Sequence, residues 1–197
     1  MTRGLKLLLG LVVIAGLYCS GGEKPNASKS TATEKTAAVP AAGAVPANAA
    51  AEGFPPEAFA VLTDAEMTKY VKVLPVVGQA LKAAGGYSPK SEKASLMGNM
   101  ASMIEGIKSV KGVDAALKQA GSSWPEFRTT TFKVVTANAA VGVAMASAMA
   151  ESDSSVTAAE REEIQRAKAF FAGVPKDNQT LVFKYADQLK PLDELDK

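Results

Sequence analysis

The sequence of 197 residues contains no histidine and a single cysteine, Cys19. These two shortages exclude Ser–His and Cys–His nucleophile pairs, imidazole acid–base catalysis, thiolate clusters, histidine-ligated haem and the usual zinc sites. A carboxylate pair, as in glycoside hydrolysis, needs neither residue. The acidic residues, however, lie mostly at helix starts and in polar stretches, where capping and solvation explain them. We therefore predict a protein that is not an enzyme, with no catalytic residue, no metal ligand and no cofactor.

Aromatic residues and an excess of charge are also scarce. Aromatic residues make up 6% of the chain and apolar residues 47%, which indicates helices packed through aliphatic and small side chains. Lys and Arg number 22 against 20 Asp and Glu, and both totals are 20 once Arg3 and Lys6 are set aside. Nucleic-acid binding calls for a clearly basic face. We therefore predict no nucleic-acid partner.

The start of the chain has the pattern of an export signal. A short basic segment precedes the apolar run LLLGLVVIAGLY at 7–18, and Cys19 follows at once. Twelve apolar residues are too few to cross a bilayer and are typical of the hydrophobic region of a secretory signal. This arrangement resembles bacterial lipoproteins, in which a cysteine after that region is lipid-modified and becomes the mature N-terminus.

The resemblance implies a signal peptide at 1–18, lipid attachment such as palmitate at Cys19, and a protein of the cell envelope. The N-terminal lipid would attach the protein to a bacterial membrane, on the periplasmic or outer-membrane face. Ordinary signal-peptidase cleavage after the small residues at 20–22 and an uncleaved anchor are the alternatives.

Residues 19–56 are rich in Ala, Pro, Ser and Thr, and the first aromatic residue after the signal is Phe54. This composition buries too little apolar surface to offset chain entropy, so we predict a disordered tether. About 36 such residues have a root-mean-square reach of about 30–36 Å, which would hold a domain clear of a membrane surface. A folded domain is predicted at 57–197.

The centre of that domain is predicted to be a helix at about 123–151. Ser123 and Glu126 have capping-box spacing, and no charged residue lies between Lys133 and Glu151. A helix that is apolar all round must be buried on all faces, so other helices have to cover it. The uncharged run would span roughly 26 Å, so a membrane span is the alternative to a bundle core.

The surrounding pattern predicts an all-α bundle of five or six helices. Thr63 with Glu66 and Thr157 with Glu160 have capping-box spacing, and Pro75 is expected to kink or split the first helix. The segments WPEF and DNQTLVFKYADQL resemble helical domains of some uncharacterised bacterial lipoproteins, a resemblance that implies no activity. The predicted helices span about 63–84, 88–110, 113–120, 123–151, 157–174 and 179–189, with apolar stripes at Tyr70, Leu74, Val77 and Leu81, at Leu96, Met100, Met103, Ile107 and Val110, at Ile164, Ala167, Phe171 and Val174, and at Val182, Tyr185, Ala186 and Leu189.

Two sets of residues suggest binding. Thioethers select Cu(I), and the methionines are stacked at helical spacing, although unbranched methionine also fills gaps in helical cores. A kink at Pro75 and the small residues of the central helix would leave an apolar groove for a lipid, a small molecule or a partner helix, and four aromatic side chains would line that groove or else pack in the core. The methionines are Met97, Met100 and Met103 on one helix and Met145 and Met149 on the central helix, and the aromatic residues are Tyr70, Tyr87, Trp124 and Phe127.

The sequence thus predicts an exported, lipid-anchored helical module of the bacterial envelope that binds an unknown protein or apolar ligand. A methionine-based Cu(I)-binding protein and a carrier of an apolar small molecule or lipid are the alternatives.

Overall fold

The structure is a computed structural model that describes residues 43–85 and 96–190. The predicted signal peptide at 1–18, Cys19 as the predicted lipid-attachment residue, the first part of the predicted tether and Tyr87 all lie outside the described residues. Within the described ranges every regular element is a helix, which confirms the all-α prediction. The elements are a 3-10 helix at Pro56–Phe59, α1 at Asp64–Ala83, α2 at Leu96–Ile107, α3 at Val113–Gln119, α4 at Trp124–Ser152, α5 at Ala158–Phe171, α6 at Lys176–Lys184 and α7 at Ala186–Leu189.

Local sequence explains the starts of α1 and α5. The hydroxyl of Thr63 accepts from the backbone N–H of Glu66, whose carboxylate accepts from the Thr63 N–H, so the predicted capping box is formed. Thr157 and Glu160 make the same pair at the start of α5. At α4 the Ser123 side chain makes no cap hydrogen bond, so that predicted box is incomplete.

The helix α4 is the centre of the bundle, as the sequence predicts. It packs against α5, α6, the 3-10 helix, α1, α2 and α3. Its buried aromatic residue Phe132 meets the ring of Phe54 at 5.6 Å between centroids, and Phe54 in turn meets Phe170 at 5.4 Å. Edge-to-face pairs at these distances are favourable, so a small aromatic cluster joins α4, α5 and the chain before the 3-10 helix.

That chain, residues 43–55, is called the strap here, and it packs against the helices although it falls within the segment predicted as a tether at 19–56. The Gly43 N–H donates to the Gly173 carbonyl at 2.8 Å, and Ala49 and Phe54 are fully buried. A Cβ on Gly173 would overlap the carbonyl oxygen of Ala44, so glycine is what permits this approach. The strap has few apolar side chains, and these enter a core that the helices form. They therefore give no periodic pattern in the sequence.

Two helix predictions need correction. Of the kink or split predicted at Pro75, the split does not occur, since α1 is continuous through the proline, which lies on its exposed side. The last predicted helix starts earlier, at Lys176, and is interrupted at Tyr185, so the described residues hold seven α-helices. The predicted stripe of α1 is buried throughout, whereas Ala186 of the last stripe is exposed.

By length and composition α4 is one helix that would be able to cross a membrane. In the bundle, however, 61% of its most apolar window is buried among the other helices. The other helices therefore cover most of the uncharged run, and its last turns are partly exposed.

Candidate functional site

The methionines of α2 take part in packing. Met100 is half-buried and contacts the main core, as expected for a side chain that fills gaps between helices. Met103 is half-buried, and the side chain of Met97 lies outside what the structure describes. Sequence reasoning missed Met67, which is fully buried on α1. The packing of Met100 favours a structural role for that thioether, and the Cu(I) alternative stays a prediction.

Three of the four aromatic residues proposed for a groove come together. Tyr70 on α1 stacks on Phe127 of α4 at 5.4 Å between centroids and 25° between planes, and Trp124 lies 6.2 Å from Phe127. All three are buried, so they form part of the core between α1 and α4.

A small pocket opens beside this stack. Its volume is about 20 Å³, which is roughly the space that a single water molecule needs. A lipid or drug-sized ligand occupies a pocket of about 300–1,000 Å³, so this pocket does not support the carrier alternative. Its lining consists of Glu66, Lys69, Tyr70 and Val73 from α1, with Ser122, Glu126, Phe127 and Thr130 from the start of α4 and the residue before its cap.

Charged groups around the pocket are paired. Lys69 Nζ donates to Glu126 Oε1 at 2.6 Å, and both side chains are nearly half exposed. The hydrogen bond from Lys69 lowers the pKa of Glu126 and outweighs the opposing effect of desolvation. Lys133, which is 7% exposed, donates to Glu66 Oε1 at 2.7 Å and to the Val61 carbonyl at 2.9 Å. These pairs connect α1 to α4 and leave no uncompensated buried charge there.

Sequence reasoning missed three buried polar residues that tie distant segments together. Asn178 accepts from the Leu62 N–H at 2.7 Å and donates to the Ala60 carbonyl at 2.8 Å, which satisfies the loop after the 3-10 helix. Thr136 donates to the Ala58 carbonyl at 2.7 Å. Lys133 is the third, through the contacts given above. A polar residue inside an apolar pattern was the available signal, because such groups are buried only with partners.

Other ion pairs also connect helices at the surface. Lys184 pairs with Asp64 at 2.6 Å, and Arg128 pairs with Glu105. No group of three or more acidic or cysteine side chains in the described ranges has the geometry to hold a metal ion. The carboxylates of Asp64 and Glu105 take part in these ion pairs.

The last turns of α4 differ from the rest because one side of the helix is uncovered. Met145 is 40% exposed and Met149 is 60% exposed, and Ala144 and Ala148 beside them are exposed as well. Val141, half-buried, continues the same side one turn earlier. At about 100° per residue these five residues cover roughly 140° of the helix. We call them the α4 face, and they overturn the expectation that this helix is buried on all sides.

Comparisons with protein families, with curated proteins and with solved structures find no match to this chain.

Proposed function

We propose that the protein is a lipid-anchored interaction module of the bacterial envelope, and that its helical domain binds a partner through the α4 face. The observation that carries the proposal is the exposure of two neighbouring methionines on an otherwise well-packed central helix. Exposed apolar patches of this kind mark protein interaction sites more often than single exposed residues do.

The shape and chemistry of the α4 face favour an amphipathic helix as its partner. Ala144 and Ala148 are four residues apart and small, so a second helix can approach closely along α4. Met145 and Met149 beside them are flexible and polarisable, which suits a surface that adapts to a partner. Recognition would follow the helix-in-groove mode, with anchors spaced at i, i+3, i+4 and i+7.

Charge gives the partner helix a direction. Glu151, exposed two residues beyond the α4 face, places a carboxylate at this end of the surface. Asp153 follows it and is also exposed. The guanidinium of Arg161 donates to the carbonyls of Ala150 and Asp153, so it offsets the negative charge of the carbonyl end of α4, and the carboxylates supply the negative charge there. The matching partner is therefore a helix with an apolar stripe and basic residues at one end, carried by another envelope protein.

The anchor is tested separately from the docking surface. Cys19→Ser should abolish palmitate labelling of the protein and its partitioning into a detergent phase, because that thiol is the proposed attachment point. Equal labelling of the variant and the native protein would refute lipid anchoring at Cys19, without bearing on the α4 face.

The docking surface is tested by photo-crosslinking the full-length protein in cells from a reactive residue placed at Ala148. A partner in the envelope should give a defined crosslinked species, and its helix, made as a peptide, should bind at least tenfold more weakly to Met149→Glu. Phe183→Glu is the matched control, since Phe183 is also 60% exposed but lies on α6. A crosslinked species containing only this chain, or equal weakening by both variants, would contradict the proposal.

A further inference from the structure

The methionines of the α4 face are more exposed than the other methionines whose side chains the structure describes. Met149 is 60% exposed and Met145 is 40% exposed, whereas Met67 on α1 is fully buried and Met100 and Met103 on α2 are half-buried. Met145 and Met149 are four residues apart, so they lie one turn apart on the same side of α4. Two accessible thioethers thus lie next to each other on the uncovered side of its last turns.

Other side chains that mild oxidants attack are scarce in this protein. The sequence contains no histidine, one tryptophan and one cysteine. The tryptophan, Trp124, is buried, and the cysteine, Cys19, is the proposed site of lipid attachment. Thioether sulfur is a common target of oxidation, and exposure makes it accessible. The two methionines of the α4 face are therefore the most accessible targets for an oxidant among the described residues.

We propose that Met145 and Met149 form a reversible oxidation site, at which hydrogen peroxide switches off docking on the α4 face. At each methionine the sulfur forms a bond to one peroxide oxygen while the O–O bond breaks. The departing hydroxide takes up the proton of the transferred oxygen and leaves as water, so sulfur is oxidised to the sulfoxide and peroxide is reduced. A methionine sulfoxide reductase restores the thioether, as two thiols become a disulfide and the oxygen leaves as water.

Oxidation at these two positions changes the surface and leaves the core intact. A sulfoxide is polar where the thioether is apolar, so it weakens the contacts of an apolar helix stripe with the α4 face. The buried cluster beside the face consists of Ala146, Ala150 and Ile164 and includes neither methionine. The same oxidation at Met67 would place a polar group in the core. The effect on docking rests on the proposed function, whereas the oxidation itself does not.

Peptide mapping of the full-length protein in dilute hydrogen peroxide tests the site. Met149 and Met145 should become sulfoxides at least about tenfold faster than Met67, and faster than Met100 and Met103, because they are the more exposed. Their full conversion should lower the melting temperature by less than about 2 °C relative to the double variant Met145→Leu, Met149→Leu treated in the same way. Oxidation of any of the other three at an equal rate, or a larger relative fall, would overturn the proposal.

The same double variant tests the switch, because leucine stays apolar and does not form a sulfoxide. A photoreactive residue at Ala148 reports docking in cells through the yield of the crosslinked species. Brief peroxide treatment should lower that yield by at least about tenfold in the native background and leave it unchanged in the double variant. A methionine sulfoxide reductase with dithiothreitol, added to isolated membranes, should restore the native yield.

The outcomes separate a failure of the switch from a failure of the proposed function. An equal loss of crosslinking in both backgrounds, or no loss in either, would refute the switch while docking stands. No defined crosslink before peroxide is added would refute docking and the switch together, and peptide mapping would still show whether Met145 and Met149 are the oxidation site.

Discussion

The middle and the last turns of α4 have similar shares of apolar residues but different surroundings. From Phe132 to Val143 every residue is buried or half-buried, including the polar Thr136 and the charged Lys133. From Ala144 onward exposed and buried residues alternate in pairs, as on an ordinary surface helix. The apolar pattern of the sequence is equally strong in both parts, so apolar residues alone do not decide which part becomes the core.

The neighbouring segments decide which part of α4 is buried. The strap and the 3-10 helix cover the first part through Phe54 and Ala58. At the last turns, Ala146 and Ala150 form a separate small cluster with Ile164 of α5, and no other helix in the described ranges joins that cluster. A helix covered on one side by a single neighbour keeps its other side open, and in α4 that side is the α4 face.

The largest test of this contrast is Phe132→Ala. The ring is fully buried and meets Phe54 edge to face, so its loss should leave a cavity and lower the free energy of unfolding by about 3–5 kcal/mol. Urea denaturation of the native protein and the variant, followed by circular dichroism, measures the difference.

Met149→Ala is the matched variant at the other end of the same helix. Its side chain is 60% exposed, so the free energy of unfolding should change by at most about 0.5 kcal/mol. A loss at Met149 close to that at Phe132 would mean that the last turns of α4 are covered in the folded protein, and it would remove the basis for the α4 face.

Local signals in the sequence predicted the parts of the fold that depend on neighbours along the chain. The capping boxes at Thr63 and Thr157 and the buried stripe of α1 need only residues three or four positions apart. Gly85, with φ of 92°, ends α1 as predicted because glycine adopts this conformation without a Cβ penalty. These features therefore follow from periodicity and capping chemistry.

Features that depend on remote partners were not predictable in the same way. Lys133 is buried because Glu66, 67 residues earlier, supplies the opposite charge, and Asn178 is buried because the backbone of Leu62, 116 residues away, needs an acceptor. The strap and the α4 face are of the same kind, since each depends on which segments meet in space. Tyr70, Trp124 and Phe127 were singled out from the sequence, but the sequence did not decide whether they line a groove or pack in the core.

The last test concerns the burial of Lys133 in the middle of α4. Burial acts to raise the pKa of Glu66, but the hydrogen bonds from Lys133 and Thr63 outweigh it and hold that pKa below the usual value of 4.5. Glu66→Gln removes the charge and leaves one oxygen, which can accept from Lys133 or from the Thr63 N–H but not from both, so at pH 7 it should cost about 1.5–3 kcal/mol, as for hydrogen bonds to charged groups. Because the Glu66 carboxylate binds its proton less readily in the folded protein, its contribution to the free energy of unfolding is present above pH 4.5 and is lost as the pH falls through the lower folded pKa.

The difference in free energy of unfolding between the native protein and Glu66→Gln should therefore shrink below pH 4.5. Glu162→Gln, at an exposed position of α5, is the control and should change stability little at either pH. A difference that stays constant from pH 7 to pH 3 would show that Glu66 acts through packing and capping alone.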